Sequence, residues 1–115
     1  MMIVFTNTLK IRKGHVHKLL ERMDEGTEEL AKAEGFLGTR ILRTRQMADE
    51  EEVVIQTLWR SEKYLKQWTK SEAFRRSHRG DRPDWILGFK LNSYEVIHWL
   101  PPAVDKESTS DSLAE

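Results

Sequence analysis

The sequence predicts an α+β domain in the ferredoxin-like, split βαβ order: strand, helix, strand, strand, helix, strand. Three observations predict it. Apolar residues alternate at the start of the chain, and strand-like apolar runs recur in its middle and near residue 95. Helical spacing of apolar residues follows Gly14 and again Ser61. Glycine and proline (Gly14, Gly35, Gly80, Pro83) punctuate the periodic stretches.

The first strand follows from Ile3, Phe5, Asn7, Leu9 and Ile11 on one face, with Val4, Thr6, Thr8 and Lys10 on the other. After Gly14, Val16, Leu19, Leu20, Met23 and Leu30 recur as one helix face, while Glu21, Glu25, Glu28 and Lys32 decorate the rest. Gly35 reads as the stop of that helix. A short strand is expected over Thr39 to Arg43 and a strong one over Glu52 to Trp59, with the polar stretch Gln46 to Glu51 as the hairpin loop between them. Ser61 is a candidate N-cap, and Glu62 suits the first turn of a helix carrying Tyr64, Leu65 and Trp68. Ser71 followed by Glu72 reads as a second cap, so two short helices are expected here. Arg79 to Asp84 is a loop, and the last strand is expected over Asn92 to Leu100, with Tyr94, Val96, Ile97, His98 and Trp99.

With 115 residues one domain is expected, spanning residues 1–100, followed by a disordered polar tail over residues 101–115. Lys plus Arg (19) balances Asp plus Glu (19), so the whole chain has no electrostatic case for binding nucleic acid or an anionic membrane. The tail is net acidic, which leaves the body mildly cationic. The lack of cysteine excludes disulfides, thiolate metal sites and cysteine nucleophiles. With no signal-peptide pattern and no apolar run long enough to span a bilayer, a cytoplasmic location is expected. Helices would cover one face of the sheet, and in so short a chain a second copy is the economical cover for the other, so a homodimer is expected.

Three residues stand out. Asn7 lies on the apolar face of the first strand, where a buried amide needs a partner. It is either satisfied by backbone at a strand end or aimed into a pocket. Trp68, beside Leu65, is a core residue by position alone. His78 lies four residues after Phe74, so the two share a helix face, and it sits in the last turn before a break. There it either complements the helix C-terminus or offers an imidazole to a metal. His15 and His17 fall on different sides of their helix, and His98 alternates with Val96 as a strand residue would. Arg75, Arg76, Arg79 and Arg82 form a basic run that could meet a carboxylate-bearing ligand or simply solvate the surface.

Taken together, several segments resemble the IsdG-type haem-degrading monooxygenases of the antibiotic-biosynthesis-monooxygenase (ABM) superfamily. They are the opening Met2 to Gly14, Glu34-Gly-Phe-Leu-Gly38, Glu52-Val-Val-Ile55, Trp68 to His78 and Tyr94-Glu-Val-Ile-His98, over about residues 2–100. The joint presence of Asn7, Trp68 and His78 is the most particular part of the match. The resemblance implies a dimeric α+β barrel that opens the porphyrin ring with dioxygen and releases iron. It implies His78 as the haem-iron ligand, Asn7 as a hydrogen-bonding amide on the distal side and Trp68 as the bulk that ruffles the macrocycle. Haem would be both substrate and oxygen-activating cofactor, with electrons from an external donor or reductase. The stretch between His78 and the last strand, with Pro83 and Trp85, is shorter than in the best-known members. Elsewhere in the superfamily, cofactor-independent monooxygenases act on phenolic or quinol substrates, and a haem carrier or sensor without turnover would share the same ligand.

Overall fold

A computed structural model describes residues 1–77, 80 and 82–103. Its order is β1 (Ile3–Arg12), α1 (Val16–Ala31), β2 (Phe36–Gln46), β3 (Glu50–Trp59), α2 (Glu62–Thr69), α3 (Glu72–Ser77) and β4 (Ile86–Glu95). The four strands form one antiparallel sheet in the order β2-β3-β1-β4, the split βαβ arrangement.

Side chains that face each other across a ladder share a sheet face. The β1 register therefore sorts the inner face: Ile3 opposes Trp59, Asn7 opposes Ile55 and Leu9 opposes Val53. On the other side of β1, Asn7 opposes Leu91 and Leu9 opposes Phe89. The apolar core on this face is divided. One cluster, Leu9, Ile11, Leu19 and Val53, lies beneath α1. The other, Ile3, Trp59 and Leu65, lies beneath α2 with Phe36, Tyr64 and Trp68 packed around it. Trp59 is fully buried, its indole N–H donates to the Thr57 hydroxyl at 2.9 Å, and Phe36 meets it edge-on at 5.4 Å.

The helix stops follow from local chemistry. Gly35 adopts φ 80°, a conformation that favours glycine. An added Cβ there would run into the Tyr64 ring. The Ser71 hydroxyl accepts the Phe74 backbone N–H at 3.2 Å and so caps α3. Ser61 has the extended backbone of an N-cap but makes no side-chain capping bond.

Four expectations need correction. The second strand is not short: it runs from Phe36 to Gln46, with a register irregularity between Arg43 and Arg45. The predicted hairpin loop over Gln46 to Glu51 shrinks to the residues between Gln46 and Glu50, because Glu51 is a strand residue and is buried. The last strand starts earlier and ends earlier than Asn92 to Leu100. A bulge between Lys10 and Ile11 shifts the register where β4 begins. Residues 96–100 lie outside any strand, joined to β1 through the Val96 N–H to Met2 carbonyl bond at 2.9 Å, and His98 is exposed rather than packed. Residues 104–115, most of the expected tail, lie outside the described residues.

Glu51 shows why a charged residue can occupy a buried strand position. Gln46 Nε2 donates to its carboxylate at 3.2 Å, and so does the Gly14 backbone N–H at 3.2 Å. The Arg43 guanidinium lies 3.1 Å away. The Gln46 bond, then the Gly14 bond, then Arg43 and Lys13 hold its pKa below the ordinary value, against the opposing effect of burial. A depressed carboxylate pKa adds stability above the ordinary value of 4.5, and that stability disappears as pH falls through the folded-state value. The expected result is an unfolding midpoint that drops on acidification below about 4.5, with a shallower drop in Glu51→Gln. Thermal melts from about pH 3 to 7 check it, and identical acid limbs in the two proteins would contradict it.

Candidate functional site

The site grows from the gap between the two core clusters. Along the inner face of β1 the order is Ile3, Phe5, Asn7, Leu9, Ile11, so an amide sits where apolar contact would otherwise be continuous. Asn7 Oδ1 is buried and finds no hydrogen-bond partner. Leaving such an atom unpaired costs about 1–3 kcal/mol, so a water molecule or a ligand is its natural partner. A half-turn of the amide exchanges its two ends, and the side chain can present either an acceptor or two donors.

The helices do not extend over β4. Leu91, directly across from Asn7, is 52% exposed, and Phe89 beside it is 57% exposed, although both lie on the inner face. The result is a bare apolar shelf next to a buried polar atom. At its rim the Arg82 guanidinium carbon stands 5.9 Å from the Phe89 ring centroid, a cation–π distance. A group of aromatic rings gathers around α2. Trp68, on α2, lies 6.3 Å from Trp59 and meets Phe74 of α3 edge-on at 6.4 Å, both within the range of favourable ring contact. Its backbone carbonyl accepts the Ser71 hydroxyl at 2.6 Å, which ties the end of α2 to the start of α3. Arg76 Nη2 meets Glu29 at 2.7 Å and joins α3 to α1.

An uncovered apolar strand beside an unpaired amide, with a cation at its rim, suits a mostly apolar ligand that makes a polar contact and carries an anionic edge. Among the described residues no three His, Asp or Glu side chains gather into a metal-binding cluster.

The sheet order and the sequence comparison agree. Residues 2–80 match the antibiotic biosynthesis monooxygenase family. The chain belongs to that family. Within this ABM family, the chain is 43% identical over 97 residues to a protein of Bacillus mycoides named heme-degrading monooxygenase, covering 83% of this chain and 90% of that one. A candidate antibiotic biosynthesis monooxygenase from Bacillus cereus superposes with a TM-score of 0.72 at 28% identity, over 91% of this chain and 100% of the other. The heme-degrader MhuD of Mycobacterium tuberculosis, solved with two hemes bound in its active site, superposes with a TM-score of 0.65 at 25% identity, over 86% and 99% of the two chains.

Of the residues singled out in the sequence, Asn7 and Trp68 both lie on the helix-covered side of this ABM sheet, on β1 and α2. Trp68 is also half-buried core, as its position beside Leu65 predicted. His78 lies outside the described residues. His15 is stacked on Trp85 at 6.4 Å, its Nδ1 3.1 Å from the Lys13 carbonyl, and His17 is exposed. Phe89, Leu91 and Phe74 were not singled out as site residues. Leu87, Phe89 and Leu91 alternate with Gly88, Lys90 and Asn92, and that period of two was the signal for the shelf.

Proposed function

We propose that this protein is a haem-degrading monooxygenase whose substrate, haem, lies on the Phe89–Leu91 shelf between Asn7 and the Trp68 wall. The Asn7 amide supports the proposal best: its Oδ1 is buried without a partner, and a half-turn of the amide would offer a ligand the hydrogen bond that the fold leaves unmade. The name of the Bacillus mycoides relative and the hemes in MhuD support the same substrate. When bound, haem supplies the iron that activates dioxygen for opening its own ring, with release of iron and an open-chain tetrapyrrole.

The protein's part is then physical. Phe89 and Leu91 give the flat ring an apolar bed in exchange for water. Trp68, braced by Trp59 and Phe74, sets the shape of the opposite wall and presses on the ring. Asn7 holds a hydrogen bond inside the pocket. Arg82 gives the rim a positive charge toward carboxylate substituents. His78 is the proposed iron ligand, on the resemblance of the Trp68 to His78 segment. Electrons come from a separate donor. The outer sheet face, with Val4, Val54, Leu58 and the exposed Leu42 and Tyr94, is proposed to pair with a second copy.

Hemin titration followed by addition of ascorbate in air tests the reading. Loss of the Soret band with release of iron is expected. Binding without turnover would indicate a carrier, and no binding at all would favour a cofactor-independent oxygenase. His78→Ala is expected to lose the wild-type Soret position and tight ferric haem binding. Retention of both would move the ligand to His15, His17 or His98.

A further inference from the structure

The outward face of α2 carries Lys63 and Lys66, and Lys70 caps its C-terminal end, so three lysines recur at spacings of three and four. With Glu62 and Gln67 they line a surface groove of about 440 Å³. Glu62 is the acid in that groove, 3.6 Å from Lys66, and both side chains are 66% exposed. With three lysines against one carboxylate, the groove keeps a net positive charge. The exposed surface of α1 has the opposite net sign, with Glu21, Asp24, Glu25 and Glu28 outnumbering Lys18 and Arg22. A chain with equal numbers of acids and bases thus carries opposite net charges on its two longer helices.

Gln67 lines both this groove and a neighbouring cleft of about 230 Å³ bordered by Tyr64, Trp68 and Ser71. Trp68 stands on the same helix as Lys63 and Lys66, so under the haem-degrading reading α2 carries both the lysine face and a residue of the substrate site. The helices cover the sheet face opposite to the one assigned to dimer contact, so this surface stays open in a face-to-face dimer.

We propose that the Lys63–Lys66–Lys70 face is the docking surface for an acidic, one-electron iron–sulfur protein of the ferredoxin class. The proposal rests on the haem-degrading reading, which requires a separate donor. In each encounter the donor's [2Fe–2S] centre loses one electron and the ferric iron of the substrate gains it, becoming ferrous. Charge complementarity acts on encounter, so the effect belongs to the rate of donor association and to its salt dependence.

The test compares two reductants with haem-loaded protein: a reduced plant-type ferredoxin, regenerated by its NADPH-dependent reductase, and ascorbate. Lys63→Glu/Lys66→Glu/Lys70→Glu is expected to lower the ferredoxin-driven rate per unit donor by roughly tenfold or more at low salt. It is expected to abolish the fall in rate with added salt and to leave ascorbate-driven turnover unchanged. The triple arginine variant keeps wild-type behaviour. An unchanged ferredoxin rate in the charge-reversed protein overturns the proposal, as does a wild-type protein that turns over with ascorbate but not with ferredoxin. Loss of binding to anionic vesicles without any change in ferredoxin rate would overturn it in favour of a membrane surface. If ascorbate itself drives no haem loss in the wild type, the haem-degrading reading fails and the docking surface fails with it.

Discussion

Replacing Asn7 with leucine is expected to raise the unfolding midpoint of the ligand-free protein while cutting haem turnover by roughly a hundredfold to a thousandfold. The two effects have opposite signs because they come from one atom. In the free protein Asn7 Oδ1 is buried and unpaired among Phe5, Leu9 and Ile55, and leucine removes that penalty with a side chain of similar reach. A gain of about 1 kcal/mol would shift the midpoint by about 4–8 °C in a domain of this size. Turnover falls because a placed hydrogen-bonding group at developing charge is lost, an effect that reaches about 3–4 kcal/mol for a single donor. Bound haem is retained, since Asn7 is not proposed to hold the iron. Calorimetry of the apo-protein and single-turnover spectra of the loaded protein measure the two effects separately. A lower midpoint with unchanged turnover would return Asn7 to a structural role.

Trp68→Ala is expected to keep haem yet degrade it poorly, and to lose stability as well. Trp68 lies between Trp59 and Phe74 at 6.3 and 6.4 Å, so its removal opens space against the core. Fully buried aromatics cost about 3–5 kcal/mol on truncation to alanine, and a half-buried one such as this costs less, roughly 2–3 kcal/mol. Trp68→Phe keeps most of the packing but reduces the bulk against the ring. If it restores stability without restoring turnover, the indole acts on the porphyrin. A flatter haem, read from hyperfine-shifted NMR resonances, accompanies the loss. Recovery of both stability and turnover would leave Trp68 as packing alone.

The element order was legible because strand and helix periods alternate cleanly along most of the chain. β1 and α1 were evident from Ile3 to Ile11 and from Val16 to Leu30. Leu20 fits the helical stripe yet is 46% exposed, since periodicity marks a face without marking how far the sheet beneath it extends. The ends of the hairpin were hidden for a different reason. Glu51 reads as a loop residue until Gln46, Gly14 and Arg43 converge on it, and that convergence is tertiary. At the start of β4 the alternation of Leu87, Phe89 and Leu91 was present, but the denser apolar cluster from Tyr94 to Trp99 competed with it for the strand assignment.

The site was legible to the extent that polarity contradicted pattern. Asn7 is conspicuous as an amide on an apolar face, and the structure shows that its oxygen is indeed unpaired. Trp68 carries no such contradiction, because a core indole and a pocket wall obey the same spacing. The exposure of Phe89 and Leu91 is invisible in sequence, since it depends on where α1 and α2 end over the sheet.

The most direct measurement of the central claim is iron release from one equivalent of haem bound to the wild-type protein, given ascorbate and air with a ferrous chelator present. The haem-degrading reading predicts loss of the Soret band in parallel with the chelated iron signal, one iron appearing for each haem lost, and a tetrapyrrole product by mass spectrometry. A Soret band that persists through reduction and reoxidation, with no iron reaching the chelator, would contradict it.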